Sequence, residues 1–282
     1  MIKGGDDTLN AGFIGTGNMG KILIEAFIES HALKPSDIHI TNRTFEKAAN
    51  LRKEHPKLNL YLTPEEIARQ AELIFICVKP LDIHPLLLKL SPYLRHDQCI
   101  ISITSPISVE QLQSVVSCQV ARVIPSITNR ALSGVSLLTF GRCSGDMRKK
   151  IEELFQTISH PFTIEDQITR VSSDIVSCGP AFFSYLLQRF IDAAVRETDI
   201  TKNQAVQLTS EMVVGLGKLL ESERYTLPTL QEKVCVKGGV TGEGISVMES
   251  ELGDVFEHLF QRTHKKFDQD LREVGEQFGR YE

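Results

Sequence analysis

The chain has 282 residues, 41% of them hydrophobic and 24% charged, which is typical of a globular protein long enough for two modest cores. Its formal net charge of −5, spread without blocks of like charge, argues against nucleic acid or an anionic membrane as the main partner. No run reaches the roughly 18 apolar residues of a membrane span, and Met1–Asn10 lacks the apolar core of a signal peptide. A cytoplasmic protein with a small-molecule ligand is therefore expected. The six cysteines are widely spaced, so reduced thiols and no metal site are expected.

Short apolar runs alternate with helical patterns from Leu9 to about Phe162. This alternation is typical of parallel strands joined by crossover helices, so it predicts a Rossmann-type, doubly wound, mostly parallel sheet of the α/β class. The candidate strands are Ala11–Gly15, Asp37–Thr41, Leu73–Val78, Cys99–Ile103, Gln119–Ile124 and Val135–Thr139.

Long helical periodicity replaces this alternation after about Ile164 and predicts an all-helical C-terminal domain. We therefore expect an α/β domain in residues 1–163 and a helical domain in residues 164–282. Broad apolar faces on two of the helical stretches indicate a homodimer or higher homo-oligomer, although burial within one chain would also account for them. The predicted helices are Ala181–Glu197, Lys202–Glu221 and Ile245–Val274.

A glycine-rich turn links the first predicted strand to a helical stretch. A glycine-rich hexapeptide alone is weak evidence for a nucleotide site, but the order of strand, tight turn and helix is typical of dinucleotide sites. Gly15 permits the turn, Gly17 lets a pyrophosphate approach the backbone, and Gly20 lets helix and strand pack closely. This turn predicts that residues 1–163 form a dinucleotide-binding domain. The predicted contacts to the cofactor in this turn are Gly15, Thr16, Gly17, Asn18, Met19 and Gly20.

The second strand is followed by Asn42, Arg43 and Thr44. No Asp or Glu stands at this position, where a carboxylate would bind the ribose 2′-hydroxyl of NAD(H). A guanidinium meets a phosphate in a charge-assisted fork, so this segment favours NADP(H) over NAD(H), the alternative being a solvated arginine in a surface turn. Val78, Lys79 and Pro80 follow the third strand on the side where ligands of such sheets bind. Lys79 lines the cofactor cleft or is simply an exposed loop lysine.

Gly238–Gly244 contains four glycines in seven residues and precedes the last predicted helix. Backbone N–H groups and the Thr241 hydroxyl are thus gathered at a helix N-terminus, which suits a carboxylate. A plain loop with a helix cap would give the same pattern, because threonine also caps helices.

Taken in order, Gly12–Gly20, Asn42–Thr44, Val78–Pro80, Gly179–Ala181 and Gly238–Thr241 resemble the pyrroline-5-carboxylate reductase family, including its late-competence-type members. The resemblance covers nearly the whole chain. It implies NADPH-dependent reduction of 1-pyrroline-5-carboxylate, or of a related cyclic imine acid, to L-proline or its analogue. It also implies that residues 164–282 form a substrate and dimerisation domain that is intertwined in a dimer. It also implies that the Thr241 hydroxyl lies near the substrate ring nitrogen, and that amides of the segment Gly238, Gly239, Val240 and Thr241 hold the substrate carboxylate.

The chain departs from the family pattern near the expected substrate site. Val236–Thr241 stands where the family usually has Ser-Pro-Gly-Gly-Thr-Thr, and Ile124–Thr128 where it has Met-Pro-Asn-Thr-Pro. Ser102–Pro106 replaces Ser-Ile-Ala-Ala-Gly, and Glu211-Met212 replaces Gln-Thr. The cofactor motifs are kept while the substrate motifs drift, as expected of a paralogue with a changed substrate or weakened activity.

Two functions therefore stay open: an active reductase, and a catalytically weakened, nucleotide-binding regulatory protein of competence or sporulation. The roles of Lys237 and Glu243 in the altered loop also stay open. A 3-hydroxyacid dehydrogenase would need a lysine and an asparagine one turn apart after the domain boundary, and Ala181–Gln188 offers neither.

Overall fold

The computed structural model describes residues 9–279, so the expectation about the start of the chain rests partly on residues outside the described ones. The chain divides into two compact units. The sheet unit comprises Met1–Pro180 and Arg262–Glu282, and the helical unit comprises Ala181–Gln261. No helix within residues 9–279 combines the length and the apolar character needed to cross a membrane.

The sheet unit is built on strands β1 (Ala11–Ile14), β2 (Ile38–Thr41), β3 (Asn59–Leu60), β4 (Leu73–Ile76), β5 (Cys99–Ser102), β6 (Gln119–Ile124), β7 (Val135–Phe140) and β8 (His160–Thr163). They form one sheet in the order β3-β2-β1-β4-β5-β6-β7-β8. Neighbouring strands are parallel except for the antiparallel pair β6 and β7. The first six strands have the order of the Rossmann fold, which confirms the predicted fold class.

The core strands are apolar on both faces because helices cover both sides of the sheet. Alternate residues of β1 and β4 enter two separate clusters: Phe13 and Phe75 lie in one, Ile14 and Ile76 in the other. The rings of Phe13 and Phe75 stack at 4.5 Å between centroids. This packing sets β1 beside β4 and so places the loops that follow them side by side.

Helices α1 to α7 belong to the sheet unit. They are α1 (Asn18–Glu29), α2 (Phe45–Glu54), α3 (Pro64–Gln70), α4 (Pro80–Leu90), α5 (Val109–Val115), α6 (Gly145–Gln156) and α7 (Thr169–Ser173). The close packing of α3 on β1 depends on Gly12, because a Cβ there would lie 2.2 Å from the Ile67 Cγ2 atom.

The six predicted strands are confirmed, but two further strands were not predicted. β3 has only two residues, too few to show a periodic pattern. β8 lies at the edge of the sheet, contains Pro161 and is largely exposed, so it lacks the alternation of a half-buried strand.

The remaining helices are α8 (Gly179–Glu197), α9 (Lys202–Glu221), α10 (Leu227–Val234), α11 (Val240–Glu251) and α12 (Val255–Gln277). The first two match their predictions. The prediction of one helix over Ile245–Val274 is wrong, because the chain turns at Gly253, where φ is +50°, and two helices result. The short helix α10 was not predicted; Thr226 and Thr229 form its capping box.

The compact units also differ from the predicted domains of residues 1–163 and 164–282. Residues 164–180 belong to the sheet unit, and so does the last part of α12. Val274 is 1% exposed in the core beside α4, the His84 and Phe278 rings meet at 4.5 Å, and Gln277 donates a hydrogen bond to the Leu81 carbonyl. Local periodicity predicts which face of a helix is apolar, but it does not predict the surface on which that face packs.

Candidate functional site

The glycine turn has the conformation that only glycine adopts easily. Gly15 follows β1 with φ +106°, and its N–H donates to the Thr41 carbonyl at 2.9 Å. A Cβ at this position would lie 2.4 Å from the Cys77 carbonyl oxygen. Because both backbone conformation and space exclude a side chain, Gly15 brings the ends of β1, β2 and β4 together.

The next two glycines leave a free approach to the first turn of α1. Gly17 is the N-cap, and a Cβ there would meet nothing within 4 Å. A Cβ on Gly20 would lie 2.3 Å from the Gly15 carbonyl oxygen, so Gly20 keeps the helix close to the turn. The first N–H groups of a helix have no acceptor within it, and no side chain within the described residues caps those of α1. Open space before these donors fits a dinucleotide pyrophosphate.

Asn42 connects the glycine turn to the loop after β2. Its Oδ1 accepts from the Thr16 N–H at 3.0 Å, and its Nδ2 donates to the Thr44 carbonyl at 2.9 Å. Both polar groups of the Asn42 side chain are therefore hydrogen-bonded within the protein. The position of Asn42 in the sequence suggested a contact with a phosphate instead. The buried Thr16 hydroxyl has no partner in the described part of the chain.

A cleft of about 580 Å³ opens between the glycine turn and the loops after β2 and β4; we call it the glycine-turn cleft. Four cations and one carboxylate line it, a balance that favours a phosphate-bearing ligand. These charged residues are Arg43, Lys47, Lys79, Lys89 and Asp82. Apolar side chains that the sequence patterns did not predict as site residues form another part of the wall and suit an adenine ring: Phe45, Leu62, Pro64 and Leu86. Leu62 is 73% exposed. Sequence patterns do not predict that an apolar residue is exposed at the wall of a cleft.

Arg43 extends into solvent beside this cleft. Its side chain is 83% exposed, and its Nη1 lies 3.4 Å from both Asp82 carboxylate oxygens. An exposed ion pair contributes only about 0–1 kcal/mol, so a stronger anion can replace the carboxylate. Lys79 is the N-cap of α4 and Pro80 its first residue, and both line a further cavity beside Arg43.

Another cavity, of about 430 Å³, lies at the carboxyl ends of β4, β5 and β6; we call it the Met19 cavity. Of the predicted cofactor residues it includes Met19, Val78 and Lys79, whereas Asn18 lines neither this cavity nor the glycine-turn cleft. Ligands of doubly wound sheets bind at this edge. Its other lining residues are Cys77, Ile103, Thr104, Ser105, Ile124, Pro125, Arg170, Ser173, Ser177 and Cys178.

The altered motifs after β5 and β6 both reach the Met19 cavity. Ser126 is fully buried, its hydroxyl donates to the Val176 carbonyl at 2.6 Å, and it accepts from the Thr128 hydroxyl at 2.9 Å. Ser126 therefore joins the loop after β6 to residues 174–178. Its hydroxyl is used within the protein.

Arg122, on β6, is almost completely buried and ties together segments far apart in sequence. Its guanidinium donates to the Ser105 and Ile107 carbonyls, to the Thr169 hydroxyl at 2.8 Å and to the Asp166 carboxylate. Burial lowers the pKa of Arg122, and the Asp166 carboxylate opposes that shift. This arginine holds the start of α7 against the sheet edge.

Residues of α7 and of the turn that follows it were missed as site residues. Asp174–Cys178 forms a π-helix turn between α7 and α8, and such turns are frequent at functional sites. Arg170, Ser173, Ser177 and Cys178 line the Met19 cavity. Burial raises the pKa of the Cys178 thiol.

The predicted substrate loop lies at the start of α11 in the helical unit. Gly238 has φ +75°, Gly239 is the N-cap, and Val240 and Thr241 are the first two helical residues. Val240 is 89% exposed. The helix thus begins inside the glycine run and earlier than predicted, with the N–H groups of its first turn directly at the loop.

One trio of possible metal ligands lies close together in the described residues: Glu25, Glu54 and His55. The Lys21 ammonium is 2.7 Å from Glu54 and 3.6 Å from Glu25, so the two carboxylates are already paired with a cation.

The chain matches two family models. Residues 165–270 match the pyrroline-5-carboxylate reductase dimerisation model, and residues 10–106 match the coenzyme F420-dependent NADP oxidoreductase model. It is similar to ComE operon protein 4 of Bacillus subtilis, with 61% identity over 96% of this chain and 99% of that protein. It is also similar to pyrroline-5-carboxylate reductase 3 of B. subtilis, with 29% identity over 94% and 98%.

Solved structures share the fold. The pyrroline-5-carboxylate reductase of Coxiella burnetii has a TM-score of 0.81 at 20% identity, covering 96% of this chain and 99% of that one. The Plasmodium falciparum pyrroline carboxylate reductase, solved with NADP bound, has a TM-score of 0.78 at 19% identity, covering 97% and 100%. The chain therefore belongs to the pyrroline-5-carboxylate reductase family and is a homologue of ComE operon protein 4, as expected of a competence-type paralogue.

Proposed function

We propose that this protein uses NADPH to reduce 1-pyrroline-5-carboxylate, or a related cyclic imine acid, to L-proline or its analogue in the cytoplasm. The observation that carries the proposal is the glycine turn, whose uncapped helix start opens on a cleft with an excess of cations. When bound, NADPH supplies the hydride that the imine carbon accepts. A protonated imine is already electrophilic, so the protein needs to orient it and stabilise charge rather than supply a strong base.

The first-turn N–H groups of α1 and Gly17 are proposed to hold the pyrophosphate, with Thr16, Asn18 and Gly20 shaping the turn. Arg43 and Thr44 are proposed to hold the 2′-phosphate of NADPH, and Asn42 to keep their loop against the turn through its bonds to Thr16 and Thr44. Val78 and Lys79 line both the glycine-turn cleft and the Met19 cavity, and we place the nicotinamide in the Met19 cavity beside Met19. Pro80 lines the further cavity beside Arg43.

We place the substrate contacts at the start of α11. The amides of Gly238, Gly239 and Val240 are proposed to hold its carboxylate, and the Thr241 hydroxyl to hydrogen-bond the ring nitrogen. The position of Thr241 in an uncapped first turn supports this assignment.

Thr241→Ala is expected to lower kcat/KM for 1-pyrroline-5-carboxylate about ten-fold, as the loss of one hydrogen bond of roughly 1.4 kcal/mol predicts. NADPH oxidation followed by absorbance measures the rate, and fluorescence titration should give an unchanged Kd for NADPH. Ser246→Ala removes an exposed hydroxyl from the same helix and serves as the control. A wild-type rate no higher than that of a mock preparation would exclude the reductase proposal.

The second candidate is a nucleotide-binding regulatory protein of competence or sporulation. It is favoured by the altered loop, in which Val236 and Val240 replace a serine and a threonine of the family pattern and Lys237 replaces a proline. Val240 is 89% exposed. This function requires NADPH binding without imine turnover, so the same pair of measurements separates the two candidates.

We further propose that residues 164–282 mediate a homodimer. Within the helical unit, Phe183 and Phe190 on α8 and Leu208 on α9 are 60%, 64% and 64% exposed. A single chain rarely leaves so many large apolar side chains in water, so a second copy is expected to cover them. Size-exclusion chromatography with light scattering should give twice the mass of the chain, and a monomer at micromolar concentration would refute the dimer.

A further inference from the structure

One carboxylate in the glycine-turn cleft has no role in the proposed reaction. In the part of the chain that the structure describes, Asp82 is the only acidic residue that lines this cleft, and its side chain is 42% exposed. Both of its carboxylate oxygens lie 3.4 Å from Arg43 Nη1. The carboxylate therefore lies beside the guanidinium to which we assign the 2′-phosphate of NADPH.

Asp82 supplies in space a group that the sequence after β2 lacks. A dinucleotide site that accepts NADH places a carboxylate against the ribose 2′-hydroxyl. Residues 42–44 contain none, and Glu46, the first acidic residue beyond them, does not line the cleft. Asp82 comes instead from the first turn of α4, which follows β4. Because β2 and β4 flank β1 in the sheet, this carboxylate reaches Arg43 from the other side of the glycine turn.

The backbone that carries Asp82 is held from two sides. Its N–H donates to the Lys79 carbonyl at 2.9 Å, and the next residue, Ile83, is fully buried in the core. The Gln277 side chain, at the end of α12, donates to the carbonyl of the preceding residue, Leu81, at 3.1 Å. The fold therefore sets the position of the Asp82 backbone, and its ion pair is not needed for that.

The carboxylate has room for a further hydrogen bond. An ionised carboxylate accepts at about four lone-pair sites, and the Asp82 side chain has one partner among the described residues, the Arg43 guanidinium. It can therefore accept from a ribose 2′-hydroxyl without releasing Arg43. A 2′-phosphate repels Asp82 and takes Arg43 instead, because an exposed ion pair is weak enough to exchange. The pair thus offers an acceptor to NADH and a cation to NADPH.

We propose that Asp82 binds the ribose 2′-hydroxyl when NADH occupies the glycine-turn cleft, so that the pair of Arg43 and Asp82 lets one site accept both nicotinamide cofactors. This inference rests on the proposed cofactor site of the reductase and adds a residue that determines its specificity. Arg43 favours the cofactor with the phosphate, and Asp82 favours the cofactor with the free hydroxyl.

The test measures the Kd for NADH and for NADPH by fluorescence titration in wild type, Asp82→Ala and Asp82→Asn. Asp82→Ala is expected to raise the Kd for NADH about ten-fold, because a hydrogen bond to a charged group is lost. Asp82→Asn keeps an oxygen acceptor without the charge and should raise this Kd less. The Kd for NADPH should not rise in either variant, because its phosphate competes with Asp82 for Arg43. Retained NADPH binding also shows that the cleft is intact.

Glu273→Gln is the matched control. Glu273, on α12, lines the further cavity beside Arg43 but not the glycine-turn cleft. Its replacement removes the same charge nearby without removing the proposed acceptor, so the Kd for NADH should equal that of wild type. An unchanged Kd for NADH in Asp82→Ala, an equal rise for NADPH, or a similar rise in Glu273→Gln would overturn the proposal. A wild-type protein that does not bind NADH would also overturn it.

These titrations need no imine, which separates this inference from the proposed reaction. A protein without imine turnover whose Asp82→Ala variant loses affinity for NADH alone would overturn only the reaction. A protein that reduces the imine with NADPH, but whose Asp82→Ala variant binds NADH as wild type does, would overturn only the role of Asp82.

Discussion

Gly17→Asp is expected to weaken NADPH binding strongly while leaving the fold intact. A Cβ at residue 17 meets nothing within 4 Å, so the protein accommodates the side chain. The new carboxylate would, however, occupy the space before the first turn of α1 where we place the pyrophosphate. Opposed like charges at a binding site cost several kcal/mol, so the Kd for NADPH should rise at least about 100-fold. Fluorescence titration measures the Kd, and thermal unfolding checks the fold.

Gly15→Ala is the counterpart of Gly17→Asp, because Gly15→Ala should destabilise the fold. With φ at +106° and a Cβ position 2.4 Å from the Cys77 carbonyl oxygen, alanine must displace the backbone. We expect a loss of about 1–3 kcal/mol in the free energy of unfolding. If Gly17→Asp proved as destabilising as Gly15→Ala, or bound NADPH normally, the assignment of the turn would be wrong.

Arg43→Ala is expected to remove a preference of the protein for NADPH over NADH. A hydrogen bond to a charged group contributes about 1.5–3 kcal/mol, so the Kd for NADPH should rise roughly ten- to a hundred-fold. NADH lacks the 2′-phosphate, so its Kd should stay constant. Because Arg43 is 83% exposed, the preference of the wild type should also weaken as the salt concentration rises.

Lys89→Ala is the matched control for Arg43→Ala. Lys89 lines the same cleft but is paired with Glu65 at 2.8 Å, so its removal should change the two affinities to a similar extent. Equal affinity of the wild type for NADPH and NADH would refute the role of Arg43, and so would an unchanged ratio in Arg43→Ala.

Local patterns predicted the part of the site that is built from consecutive residues. The run from Ala11 to Gly20 is a strand, a turn and a helix start in direct succession, and the physical constraints on Gly15 and Gly20 act within that run or on the adjacent strand end. The chemistry of Arg43 could likewise be read from the absence of a carboxylate after β2. Its pairing with Asp82 could not, because that contact joins two separate loops.

The adenine-side wall of the glycine-turn cleft and the wall that α7 and the turn after it contribute to the Met19 cavity were missed for a common reason. Phe45 and Leu62 are exposed apolar residues, and their convergence depends on how β2 and β3 pair in the sheet. Arg170 and Asp174 read as ordinary polar residues of a helix. Only burial makes them unusual, and burial is a property of the packed structure.

The sequence by itself determined the Rossmann fold class, the glycine turn and the family, since these depend on short-range periodicity, glycine conformations and ordered motifs. The tertiary structure decided which helices pack together and which polar groups they enclose. The end of α12 packs beside α4, and Thr263 reaches Asp174 across 89 positions of sequence. Such contacts follow from the complementarity of distant apolar faces, and no local pattern encodes them.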